Sequence, residues 1–227
     1  MKTTPMIFNQ EMVKALVTGN KTVTRRPVKE KYQSDIGYIC GRLGNEEIVS
    51  LSYDSWLDDK GITRKPEFLV CSPEYESEGV LAVGQGVARV GDLIWVRETF
   101  RLFDSSTECG CSESPCNCPS SGSPIYRAMG CDTGEETWKP SIHMPRWASR
   151  LTLRVTDVRV ERVQQVTKSE AYKEGFDREN ILGFPVVWFS RIWNSIYSNW
   201  DANPWVWVIE FEVIHKNVDQ VLAEVAE

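Results

Sequence analysis

The ten residues GNKTVTRRPV, from Gly19 to Val28, set Lys21, Arg25 and Arg26 around Thr22 and Thr24. Two hydroxyls among three cations suit a site that handles something anionic or rich in carbonyl groups; a solvated turn needs no such grouping. A second set is made of sulfur. Cys109 and Cys111, followed by Cys116 and Cys118, put four thiols within ten residues, and Gly110, Ser112, Pro115 and Pro119 permit tight turns around them. Four converging thiolates form a closed, structural zinc site, so Zn2+ is the expected cofactor and a catalytic zinc is not. Cys131 or His143 can replace one ligand, while Cys40 and Cys71 stand apart. The two C-x-C pairs depart from the more usual C-x-x-C spacing, and the alternative is a loop of free thiols.

Around these groups lies a chain of 227 residues with 26 Lys and Arg against 32 Asp and Glu, a net charge of −6. That balance excludes a nonspecific nucleic-acid binder held by bulk charge. The positive charge is nevertheless concentrated. Residues 1–31 hold seven Lys or Arg against Glu11 and Glu30, and residues 139–162 hold six against Asp157 and Glu161. In the second segment, WKPSIHMPRWASR offers Trp138 and Trp147 for stacking a base, and His143, Arg146 and Arg150 for phosphates or base edges. The alternative there is a proline-fixed loop whose tryptophans plug one end of the fold. Apolar runs such as PVVWF are too short to span a bilayer, the N-terminus lacks an apolar signal region, and seven cysteines do not form a secreted disulfide framework. A cytoplasmic protein with no membrane partner is expected.

The elements that must position these groups follow from periodicity. Asn9 can cap a helix with Met12, Val13 and Leu16 on one face and Gly19 at its end, after which KTVTRR reads as extended. Residues from about 32 to 90 read as an insertion of long loops with one strand near EFLVC, and 104–123 as a polar excursion without a core. GDLIWVRETF is a turn and a buried strand. Its neighbours Arg97 and Glu98 leave that strand on opposite faces, so one of them points inward and needs a partner or a pocket. Glu98 is therefore a reserve acid candidate, or half of a bracing Glu–Arg pair. PIYRAM reads as a return strand and SRLTLRVTDVRVERV as one curved strand or two. Thr167 with Glu170 forms a capping box closed by Gly175. A helix starts near Pro185, NPWVWVIEFEVI is a strand with alternate residues inward, and an amphipathic helix follows Asn217. Strands dominate without a β-α-β rhythm. The expected fold is α+β, a single domain over residues 1–227 built on a small β-barrel with peripheral helices, the polar insertion and a zinc knuckle.

In order along the chain, TGNKTVTRR, VGDLIWVRE, SEAYKEGF and WVWVIEFEVI resemble the activating signal cointegrator homology (ASCH) domain, a β-barrel of the pseudouridine-synthase-and-archaeosine-transglycosylase (PUA) type. HMPRWASR is similar to ASCH proteins of bacteriophages and prophages. The resemblance covers roughly residues 5–31, 91–103 and 124–214. It implies a site for RNA or a modified nucleobase near Lys21. Some small ASCH enzymes hydrolyse N4-acetylcytidine with a lysine, a threonine and a glutamate; the resemblance sets these on Lys21, Thr24 and Glu174. Another implied activity is that of a ribonuclease. Amide hydrolysis suits these groups if a hydroxyl and an amine of lowered pKa meet, with a carboxyl to protonate the departing amine. On one extended strand residues 21 and 24 point to opposite faces, so Lys21 must precede the strand.

Overall fold

A computed structural model describes residues 1–41, 50–58, 60–71, 80–111, 116–130, 137–177 and 183–226, with backbone alone at 38–41 and 50. The elements begin with β1 (Thr3–Ile7), α1 (Gln10–Val17), β2 (Val23–Pro27) and α2 (Glu30–Gly41). Then come β3 (Ser50–Leu57), β4 (Thr63–Cys71), β5 (Leu81–Ala82), β6 (Leu93–Arg97) and β7 (Phe100–Leu102). The remainder are α3 (Ser105–Glu108), β8 (Pro124–Tyr126), β9 (Thr152–Arg162), α4 (Lys168–Lys173), α5 (Pro185–Tyr197), β10 (Trp205–Ile214) and α6 (Val218–Ala226). The chain divides into two compact units, one of Met1–Gly19, Leu93–Arg154 and Val213–Glu227, the other of Asn20–Asp92 and Val155–Glu212.

In the first unit β1 runs parallel to β6, and β6 pairs antiparallel with the start of β9, Ile94 opposite Leu153. Asn9 caps α1 by accepting the Met12 amide at 2.8 Å, and Val13 and Leu16 are its buried face. Gly19 then turns the chain with φ +75°, a conformation that costs glycine little. Leu93, Trp95, Val218 and Val221 form one apolar cluster, so the inner face of α6 covers β6. Phe100, Met144 and Ala148 form another, where two short 3-10 turns of the two-proline loop pack under the β7–β8 hairpin.

In the second unit the rest of β9, then β10 and β2, lie side by side, with Ile209 opposite Thr24. Val23, Val206 and Val208 pack on Phe189 and Trp193 of α5 and Ala171 of α4. Phe68 of β4 meets Trp207, ring centres 4.9 Å apart. Because helices cover one side of β10 and Phe68 of β4 touches the other, Trp205 through Ile209 are all buried, and the expected burial of alternate residues alone does not hold there. SRLTLRVTDVRVERV gives one 11-residue strand, β9.

The loops expected over 32–90 are instead α2 and a three-stranded antiparallel sheet, order β3-β4-β5. These strands satisfy each other's backbone groups, so they need few apolar residues. Only Phe68, Leu69 and Val70 are buried in β4, which is why EFLVC alone stood out as a strand. The class is α+β as expected. The sheets are open: among the described residues no barrel closes, β1 lying at the sheet edge in the first unit and β2 in the second.

Gly86 provides a test of the packing around Trp207. It has φ +62°, and a Cβ there would lie 2.5 Å from the Phe68 ring, which Trp207 and Tyr53 confine. Gly86→Ala should cost about 3 kcal/mol or more, whereas Gly19→Ala, with equally positive φ but open space around it, should cost about 1–2 kcal/mol by denaturant unfolding.

Candidate functional site

Lys21 precedes β2 and forms an isolated antiparallel bridge with Glu174, the residue that ends α4. Two hydrogen bonds fix this crossing: the Thr22 amide donates to the Lys173 carbonyl at 2.8 Å, and the Phe211 amide to the Thr22 carbonyl at 2.9 Å. At the other end of α4, Thr167 and Glu170 bond each other's backbone amides, and Gly175 with φ +109° releases the chain. Glu174 is thereby brought to Lys21 across 153 residues of sequence.

The ammonium of Lys21 is fully enclosed and uses all three of its donors. It donates to the Val23 carbonyl at 2.8 Å, the Glu174 carbonyl at 2.9 Å and Glu174 Oε2 at 2.6 Å. Glu174 Oε1 accepts from Arg25 at 3.1 Å. The same guanidinium reaches Glu170 at 3.2 Å and Glu161 at 3.4 Å, and lies 5.6 Å from the centre of the Phe189 ring. Farther out, Arg159 bonds Glu161, Glu170 (2.6 Å), Glu210 (2.7 Å) and Asp157 (3.0 Å). Burial pushes the Lys21 pKa below its ordinary 10.5; Glu174 opposes this by charge and hydrogen bond, and Arg26 and Arg25 add to the lowering.

Thr24 is buried on β2 and by strand alternation leaves it on the face opposite Arg25. Lys21 does precede the strand, yet no hydrogen bond joins it to Thr24, since its donors are taken elsewhere. Arg26 is half-buried and donates to the Arg25 carbonyl at 3.4 Å. The structure thus gathers Lys21, Arg25 and Glu174, and leaves Thr24 outside their hydrogen-bonded cluster. Sequence reasoning missed Glu161, Glu170 and Arg159 as members. One signal was there: Asp157, Arg159 and Glu161 alternate along β9 and so share a face.

The basic loop belongs to the first unit. Trp147 is 57% exposed and His143 is exposed, while Trp138 is half-buried with the Arg101 and Arg127 guanidiniums 5.4 and 5.9 Å from its ring centre. Arg146 pairs with Asp219 at 2.6 Å and bonds Thr3 at 2.7 Å. Arg150 grips Glu98 with both arms, at 2.9 and 3.0 Å, and lies 4.0 Å from the centre of the Tyr126 ring. Glu98 is therefore in a Glu–Arg pair; burial raises its pKa and Arg150 pulls it back in part.

The thiols of Cys109, Cys111, Cys116 and Cys118 lie within 4.8 Å of one another, and none is in a disulfide. The contacts from Cys109 to Cys111 and Cys116 are 3.4 and 3.5 Å, and Cys111 to Cys116 is 2.9 Å. An ion with tetrahedral bonds of about 2.3 Å holds its sulfurs about 3.8 Å apart, within the range these four span, so the cluster could hold a metal ion. Hydrogen bonds from Cys111 and the Cys118 amide bring Cys116 down to about 7, and sharing its proton with Cys116 and Cys109 pushes Cys111 up to about 12. Cys131, the alternative ligand, lies outside the described residues, and so does the side chain of Cys40.

No family model, curated protein or solved structure matches the chain. Among the described residues no helix is long and apolar enough to cross a membrane.

Glu170 gives the site a pH signature. Burial raises its pKa, but the Thr167 amide, Arg25 and Arg159 outweigh this and hold it below 4.5. Its stabilising contribution is thus complete above 4.5 and is lost as the pH falls through the folded value. Glu170→Gln should lower stability at neutral pH by about 1–2 kcal/mol and flatten the acid limb of the stability–pH curve, as followed by thermal melting.

Proposed function

We propose that this chain works as an ASCH-type protein that recognises a nucleobase, in RNA or as a modified nucleoside, beside Lys21. The observation that carries this reading is the buried contact between Lys21 and Glu174 at 2.6 Å, between two residues that the family resemblance pairs. An enclosed ammonium and carboxylate match the amino and carbonyl edge of a cytosine, and Thr24 and Arg26 lie on the same strand. Lys21 has no exposure, so a ligand reaches it only by displacing what covers it. In the first unit, taken by itself, exposed Trp147 and His143 are candidates for RNA contacts.

A second reading, hydrolysis of N4-acetylcytidine to cytidine and acetate, is favoured by the lowered pKa of Lys21. Once it has lost its third proton, an amine of reduced basicity can take one from the attacking water, or from Thr24, whose acetyl ester water then hydrolyses to acetate. The proton so taken, held between Lys21 and Glu174 Oε2, is then delivered to the departing amino group. Thr24 and Lys21 share no hydrogen bond here, so this chemistry also needs a rearrangement on binding.

For the cysteines we propose structural zinc, which would order a polar excursion that has no apolar core of its own. Its ligands would be Cys109, Cys111, Cys116 and Cys118.

Cytidine, N4-acetylcytidine and a short oligoribonucleotide should each be tested for raising the melting temperature. At least one should do so for the wild type and not for Lys21→Ala or Glu174→Gln; no shift with any of them overturns the recognition reading. Acetate release that vanishes in the same variants selects the hydrolase, and oligoribonucleotide fragmentation selects a ribonuclease. Separately, purified protein should contain one zinc per chain. Cys111→Ser should abolish it, and chelation should expose 104–123 to protease; a metal-free protein with an equally resistant segment refutes the zinc site.

A further inference from the structure

Arg25 is enclosed in the cluster beside Lys21. Its side chain has no exposure, its Nε–H is buried without an acceptor among the described residues, and its two terminal nitrogens serve different tasks. One meets Glu174 Oε1 at 3.1 Å; the other meets Glu161 and Glu170, at 3.4 and 3.2 Å. The Phe189 ring, 5.6 Å away, limits its movement. We infer that Arg25 is a positioning residue for the Lys21–Glu174 pair: anchored on Glu161 and Glu170, it holds one oxygen of Glu174 so that the other faces the Lys21 ammonium. This rests on the reading of Lys21 and Glu174 as the working pair.

The anchor is itself held. Arg159 also bonds Glu161 and Glu170, together with Asp157 of β9 and Glu210 of β10, and Lys173 reaches Glu210 at 3.4 Å. Cations and carboxylates alternate from this half-buried rim to the enclosed amine. A planar fork can span Glu174 and its two neighbours at once, whereas a lysine presents its donors from one point. The charge of Arg25 also has a sign that can be read. With Arg26 it lowers the proton affinity of Lys21, against the pull of Glu174. Removing it should free Glu174 to rotate, and because Glu174 acts on Lys21 more strongly than Arg25 does, the Lys21 proton should be held less tightly.

The test uses the full chain, with Lys21 followed by NMR of its side chain and folding checked by melting. Arg25→Gln should move the Lys21 titration midpoint downward, because the Glu174 contact that it loosens holds the proton more strongly than Arg25 repels it. Arg25→Lys keeps the charge and the fold but not the fork. For an ion pair weakened by about 1.4 kcal/mol it should lower the midpoint by about one unit and make the Lys21 ammonium protons exchange with water about tenfold faster. If the protein hydrolyses N4-acetylcytidine, Arg25→Lys should also lower kcat by up to about 100-fold with little change in KM. An unmoved or raised midpoint in folded Arg25→Gln, or an unmoved midpoint with unchanged exchange in Arg25→Lys, overturns the inference. Should Arg25→Gln fail to fold, Arg25→Lys alone decides. Inactivity of the wild type towards the nucleoside counts against the hydrolase and leaves the NMR result standing.

Discussion

A lysine ammonium with no access to water is the constraint from which the second unit is built. Such a charge is tolerated only if acceptors replace its hydration shell, and here one carboxylate oxygen and two backbone carbonyls do so. Those acceptors dictate the neighbouring structure. The chain must turn at Gly19 so that Lys21 precedes β2, and α4 must end where the Glu174 carbonyl and carboxylate both point at the amine. Removing one partner of such a pair costs about 3–5 kcal/mol, yet an apolar pair of similar size would often serve stability as well or better. Stability alone is therefore a poor reason for placing these residues here. The competing account, a brace that fastens α4 to the start of β2, draws on the same hydrogen bonds and is favoured by the saturation of all three donors.

Charge spreads from this pair in a definite order. Arg25 mediates between Glu174 and the carboxylates of Glu161 and Glu170, which Arg159 then couples to Glu210 and Asp157. The cations around Lys21 are thus engaged by the protein's own acids. In the first unit Arg146 and Arg150 are likewise engaged, by Asp219 and Glu98. Counting basic residues along the sequence therefore overstates the positive charge offered to a partner, because fold-specific pairing consumes much of it.

Much of the scaffold was legible because its signals are local. Asn9 and Gly19 bracket α1, the Thr167–Glu170 box starts α4, Pro185 starts α5, and the apolar run from Trp205 to Ile209 marks β10. The sheet of β3, β4 and β5 was illegible because only Phe68, Leu69 and Val70 of its described side chains are buried and its stability comes from pairing, which a single strand does not reveal. At the site, the sequence supplied Lys21 and Arg25, and the family resemblance supplied Glu174. The roles of Glu161, Glu170 and Arg159 depend on contacts between β2, β9 and α4 that no short window contains. Thr24 shows the reverse: its place on the strand was readable, but not that the amine would turn to carbonyls and a carboxylate instead.

The claim that a nucleobase is recognised at the Lys21–Glu174 pair is tested most directly by NMR titration of the labelled protein with N4-acetylcytidine. Saturable shifts that begin at Lys21, Thr24 and Glu174, with the enclosed ammonium losing its protection or changing its partner, are what the account predicts. Signals at those three residues that stay fixed while other parts of the molecule respond, or a spectrum that does not respond at all, would contradict it and leave the pair as a structural brace.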